Sequence, residues 1–205
     1  MQAFLSAFTH LDPVALVKAG GYVGIALFVF AESGILLGIF LPGDSLLFAG
    51  GLLAAAGFLH ILPLAILVIL AAILGDSVGY WFGAKAGDAF FTRPDSRFFK
   101  KEWVERTERF FETYGGRAII LARFVPIVRT IAPILAGVGS MRYSRFLSYN
   151  VIGGALWGAG VTLLGYFLGT LIPGSERYIL PLSLIIITLS LLPILFRSFS
   201  KKNRT

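Results

Sequence analysis

The chain has 205 residues, of which 57% are hydrophobic and 14% charged, with a mean hydropathy of +0.82. This exceeds the roughly 45–50% apolar content of a soluble domain, so lipid is the solvent for most of the chain and a soluble enzyme fold is excluded. The formal charge of +7 lies between and after apolar stretches rather than in a basic domain, which points to membrane orientation instead of nucleic acid, while the lack of cysteine removes disulfides, thiolate catalysis and cysteine-bound metal.

The first residues, Met1 to Phe8, lack a basic n-region and run into Asp12-Pro13, unlike a cleaved signal peptide. Gly20 to Leu41 is apolar but carries Glu32 and stops at Pro42-Gly43-Asp44. The next stretch, Ser45 to Leu59, would make about 22 Å of helix, short of the roughly 30 Å hydrocarbon core. Residues 20–59 therefore read as a re-entrant or broken hairpin, with Pro42 and Gly43 at the break. Residues 62–82 follow as a spanning helix, with Asp76 about two turns inside it and glycines 75, 79, 83 and 87 forming a small-residue face suited to close helix packing.

Residues 85–117 are rich in charge. Phe99, Trp103, Phe110 and Tyr114 share a helical face, and Glu102/Arg106 and Glu105/Arg109 stand at i,i+4, which predicts an amphipathic cytoplasmic linker helix. Residues 118–139 contain Arg123, Pro126, Arg129 and Pro133, so a second broken hairpin is expected, with Pro126 and Pro133 as breaks. Two further spans follow at 146–172 and 179–196, the latter uncharged, before a basic tail at 197–205.

The expected architecture is a single all-α polytopic membrane domain, 1–205, built from two inverted repeats, residues 1–84 and 118–172. Each repeat holds a hairpin and a transmembrane helix, and a C-terminal helix is added. Glu32 precedes Pro42 by ten residues, as Arg123 precedes Pro133, a shift of 91; Gly79-Tyr80-Trp81-Phe82-Gly83 matches Gly165-Tyr166-Phe167-Leu168-Gly169 at a shift of 86. Weak internal symmetry of this kind marks transporter repeats. Three crossings place the basic clusters on one side, which the positive-inside rule makes cytoplasmic, together with the C-terminus.

Glu32, Asp44, Arg123 and Arg129 all lie in the two broken segments. Each costs about 2.5–3.5 kcal/mol at the bilayer centre, so they must meet one another, water or a ligand. Two acids come from one hairpin and two arginines from the other, so opposed hairpins would join them in one cavity. The planar guanidinium fork suits phosphate, which assigns Arg123 and Arg129 to substrate, while the acids Glu32 and Asp44 suit proton coupling. Asp76 is a candidate for the same polar path. His10 and His60 fall outside these motifs and read as interface residues; neither a metal cluster nor a cofactor motif is present in the sequence.

Glu32 with Phe40-Leu41-Pro42-Gly43-Asp44, Gly75-Asp76 with the Gly79 to Gly83 motif, and Arg123-Phe124-Val125-Pro126-Ile127-Val128-Arg129 together resemble the DedA family (SNARE-associated, VTT-type), over about residues 21–167. The resemblance implies opposed re-entrant hairpins, bacterial inner-membrane residence, and translocation of lipid head groups. The substrate would be undecaprenyl phosphate or phosphatidylethanolamine, moved with dependence on the proton gradient. It also places the family's acidic and arginine pairs on Glu32, Asp44, Arg123 and Arg129. A lipid phosphatase or pyrophosphatase is the rival, disfavoured by the lack of a serine or histidine nucleophile near the arginines; a structural factor in membrane homeostasis is the third alternative.

Overall fold

The structure is a computed structural model that describes residues 13–34, 43–92 and 109–171. Among these residues every regular element is helical: α1 (Pro13–Gly34), α2 (Gly43–Ala55), α3 (Ile61–Thr92), a helical stretch at 109–114, α4 (Arg117–Ala122), α5 (Pro126–Val138), α6 (Tyr143–Gly154), a π-helical turn (Ala155–Ala159) and α7 (Gly160–Leu171). Three stretches are long and apolar enough to cross a bilayer: Val14–Gly34, Ile61–Ala86 and Tyr143–Leu171. The second and third correspond to the spans read at 62–82 and 146–172, whereas 179–196 lies outside the described residues, as do residues 93–108 of the linker.

Two expectations change. The first apolar helix begins at Pro13 rather than Gly20 and has 22 residues. Gly21 breaks it with φ 52 and ψ −146, a conformation open to glycine because it has no Cβ, so the part after the break spans only about 20 Å. The second difference concerns Pro133, which sits inside α5 instead of breaking it. The break falls at residues 123–125, and Pro126 then starts α5, where a missing N–H costs nothing. Pro42 lies outside the described residues, and Gly43 is the first residue of α2. α3 also runs on to Thr92, so the start of the linker continues that span as helix.

The chain divides into two compact units, Met1–Ile25, Pro42–Leu64 and Val161–Thr205 in one, and Ala26–Leu41 and Ala65–Gly160 in the other. In the first, α2 packs on α7 through glycine. A Cβ built on Gly51 would lie 2.0 Å from the Thr162 carbonyl oxygen and 2.8 Å from the Tyr166 amide, and one on Gly165 would lie 2.3 Å from the Phe48 carbonyl oxygen. Phe48 and Leu52 form the core there, with Val14, Val161 and Leu168 against them. Tyr22 and His60 are joined by the His60 amide donating to the Tyr22 hydroxyl at 2.6 Å.

In the second unit, α5 packs on α3 in the same manner. A Cβ on Gly137 would lie 2.1 Å from the Tyr80 carbonyl oxygen and 2.5 Å from the Ala84 amide, and one on Gly83 would lie 2.0 Å from the Ile134 carbonyl oxygen. Each short helix thus sets one glycine between residues i and i+4 of a long helix, and each long helix returns one glycine to the residue three earlier in the short one. The correspondence pairs Gly51 with Gly137 and Gly165 with Gly83, a register different from the one that lays Pro42 on Pro133. Both short helices also end alike. Gly57, at φ 83, and Ser140, at φ 51, follow α2 and α5; the amides of Phe58 and Met141 bond back to the carbonyls of Leu53 and Ala136, the Schellman arrangement that satisfies terminal carbonyls.

Glycine therefore has two partners along α3. Gly83 admits α5, while Gly75 admits α1: a Cβ on Gly75 would lie 2.6 Å from the Phe30 carbonyl oxygen, and one on Gly34 would lie 2.9 Å from the Gly75 carbonyl oxygen. The core of this unit is aromatic. Tyr80 stacks on Phe146 at 4.7 Å and touches Tyr143 at 5.3 Å, and its hydroxyl donates to the Met141 carbonyl. Close helix approach on small residues substitutes for the hydrophobic driving force that is absent between helices in lipid.

Candidate functional site

The last turn of α1 carries Glu32, the middle of α3 carries Asp76, the break after α4 carries Arg123, and the first turn of α5 carries Arg129. All four lie within one compact unit. The Gly34–Gly75 approach brings α1 against α3 and so sets Glu32 and Asp76 on neighbouring helices. The Gly83–Ile134 contact draws α5, with Arg129, onto the same α3.

Two buried ion pairs result. Arg129 Nη2 donates to Glu32 Oε1. Arg123 Nη2 donates to both Asp76 Oδ2 and Asn150 Oδ1. Asn150 is oriented in turn by its own Nδ2, which donates to the Ile73 carbonyl at 3.2 Å. Glu32 is 1% exposed, Asp76 and Arg123 3%, and Arg129 9%, so all four charged side chains are buried in this conformation.

Trp157 joins the two pairs. Its ring lies 4.7 Å from Arg129 Cζ and 5.9 Å from Arg123 Cζ, within reach of the attraction between a cation and the ring face. Asn150, Gly153, Gly154 and Trp157 fall at i, i+3, i+4 and i+7, one face of a helix, and the π-helical turn contains the tryptophan. Insertions of that kind recur at functional sites. The glycines make room for arginine: a Cβ on Gly153 would lie 2.9 Å from Arg123 Cδ and 3.2 Å from its Nε, and one on Gly154 3.5 Å from its Nη2. Arg123 Nε is buried without a hydrogen-bond partner among the described residues.

The expected meeting of acids from the first hairpin with arginines from the second is met by Glu32 and Arg129. Arg123 takes its carboxylate from Asp76 on the long helix. Asp44 is half-buried in the first turn of α2, in the other unit, where an acid also complements the positive end of the helix dipole. Asn150, Gly153 and Trp157 are site residues that the sequence reading passes over. Their helical spacing was a signal, but it is embedded in an apolar, glycine-rich span where packing is the ordinary explanation. No group of three or more His, Cys, Asp or Glu that could hold a metal occurs among the described residues.

Residues 41–167 match the VTT domain. The chain is 45% identical over 174 residues to Protein DedA of Escherichia coli (strain K12), an alignment covering 84% of this chain and 79% of the relative. The chain belongs to the DedA (VTT-domain) family. The DedA relationship extends to mycobacteria, where an uncharacterized membrane protein of Mycobacterium tuberculosis (strain ATCC 25618 / H37Rv) is 49% identical over 193 residues, 90% of this chain and 84% of the relative. One from Mycobacterium leprae (strain TN) is 42% identical over 195 residues, 92% of this chain and 87% of the relative. No solved structure matches the chain. Both buried ion pairs, except Glu32, lie within the part that matches the VTT domain.

Proposed function

We propose that this DedA-family membrane protein is a secondary translocase for a phosphate-bearing lipid, undecaprenyl phosphate or phosphatidylethanolamine, and not an enzyme that consumes it. The observation that supports this reading is the pair of buried arginines, Arg123 and Arg129, held on carboxylates beside one tryptophan. A buried ion pair is a poor stabiliser compared with apolar packing. Two of them in one buried site fit an exchangeable arrangement, in which a lipid phosphate takes the place of a carboxylate on guanidinium. A carboxylate that loses its cation inside a membrane protein is neutralised by a proton more cheaply than it is kept as an anion, which gives Glu32 a coupling role, with Asp44 a second proton site in α2.

In this proposal residues 20–59 and 118–139 act as two re-entrant hairpins of an inverted repeat, consistent with the shared glycine register of α2 on α7 and α5 on α3. The protein resides in the bacterial inner membrane with its C-terminus in the cytoplasm. The deciding experiment places the full chain in proteoliposomes containing a head-group-labelled lipid. Label crossing the bilayer under an imposed proton gradient, without phosphate release, is the expected result. Phosphate release would identify a phosphatase instead, and neither event with any of the named lipids would remove the transport reading.

A further inference from the structure

Outside the buried arginine site, two cavities share the wall made by Phe111. One, of 690 Å³, is polar and lined by Ser140, Arg142, Ser144, Arg145, Ser148 and Glu112 among others. The other, of 680 Å³, is an apolar groove along α4 and α5, lined by Leu121, Val125, Val128 and Leu135, with Tyr114 and Arg117 also on its wall. All of these residues belong to a single compact unit.

The polar cavity stands where the third spanning stretch begins, since Arg142 is the N-cap of α6 and Tyr143 its first residue. Charged side chains at the end of a span lie at head-group level. Arg142 and Arg145 form no ion pair among the described residues, and together they outweigh Glu112 by one charge. The Arg145 guanidinium is positioned against the turn before α4, where a Cβ on Gly115 would lie 3.1 Å from its Nη2. No side chain caps the N-terminus of α6, whose amides add donors for an anion. Free phosphate would need only the polar half. The adjoining apolar groove calls for a ligand with a tail.

We propose that the two cavities form one docking site for a single phosphate-bearing lipid, its phosphate on Arg142 and Arg145 and the start of its tail along the Leu121–Leu135 groove. The site is distinct from the Glu32–Arg129 centre and supplies lipid to it or receives lipid from it. Its recognition chemistry stands whether or not that centre translocates.

The test uses the full chain in detergent micelles and reads lipid retained on the protein by native mass spectrometry, with dioleoyl phosphatidic acid, dioleoylglycerol and inorganic phosphate as probes. Phosphatidic acid should be retained and dioleoylglycerol lost. Arg142→Gln/Arg145→Gln should weaken retention at least tenfold, and Leu121→Trp, which obstructs the groove, should do the same with its helical content and melting unchanged. Lys18→Gln, in the other unit, should retain lipid as the natural protein does. Equal retention by the double Gln variant, equal retention of dioleoylglycerol, or binding of inorganic phosphate as tight as that of phosphatidic acid would each overturn the proposal. If the double Gln variant fails to fold, Leu121→Trp and Ser144→Ala/Ser148→Ala decide the matter by the same readout.

Discussion

Glu32→Gln, Arg129→Gln and the two together measure what the central ion pair does. Glu32 is 1% exposed and Arg129 9%, so neither single change lets the remaining charge reach water without local opening. Stripping one partner from a buried pair costs about 3–5 kcal/mol, or roughly two to four powers of ten in the folding equilibrium. The double change leaves two neutral amides that can hydrogen-bond to each other, and it should lie within about 1.5 kcal/mol of the natural protein, since replacing a whole buried pair is often near neutral. Denaturation of the full chain in mixed micelles, followed by circular dichroism, gives the three values and the coupling between the sites. Transport in proteoliposomes supplies the second axis, where all three variants should be inactive although the double one is stable. Single changes that cost less than about 1 kcal/mol, or a double change equal to the sum of the singles, would refute the buried-pair energetics. A stable double variant with near-normal transport would show that the pair only holds the fold.

The arginines themselves are tested by Arg123→Lys and Arg129→Lys, which keep the charge but lose the guanidinium fork: head-group movement should fall substantially for each, and full activity in both would exclude phosphate recognition by the fork. Gly83→Ala and Gly137→Ala force a Cβ to about 2 Å from a carbonyl oxygen of the facing helix, so each should destabilise the protein by about 1–3 kcal/mol in the same micelle titration; unchanged midpoints would mean that α3 and α5 do not pack this closely. The basic clusters predict that a reporter fused after Thr205 is active only in the cytoplasm, and activity confined to the periplasm would invert the assigned topology.

The twin packing of glycine helices gives the transport proposal a structural frame. Gly51 on α7 and Gly137 on α3 repeat one contact with the same spacing, although the two short helices have unrelated side chains around those glycines. The likeness of the two contacts is legible in packing more than in sequence because only the glycine is indispensable at such a contact; its neighbours need only be apolar.

The sequence by itself determines that the chain lives in a membrane, because the length of an apolar run against the thickness of hydrocarbon is a local quantity. It also determines which residues are anomalous there, since a charge within an apolar run is costly wherever it points: Glu32, Asp44, Arg123 and Arg129 are marked in this way, with Asp76 a further candidate, and all but the half-buried Asp44 prove buried. Only the tertiary structure decides their partners. Glu32 and Arg129 are 97 positions apart and Arg123 and Asp76 are 47 apart, and no periodicity carries information across such separations. Asp76 becomes the carboxylate partner of Arg123 in a unit where close glycine contacts bring α3 against both α1 and α5. Trp157 was hidden for the same reason. An aromatic residue in an apolar helix is ordinary until the fold sets two arginines beside its ring, and that placement depends on the width of two glycines, Gly153 and Gly154, which leave the volume that the Arg123 side chain fills.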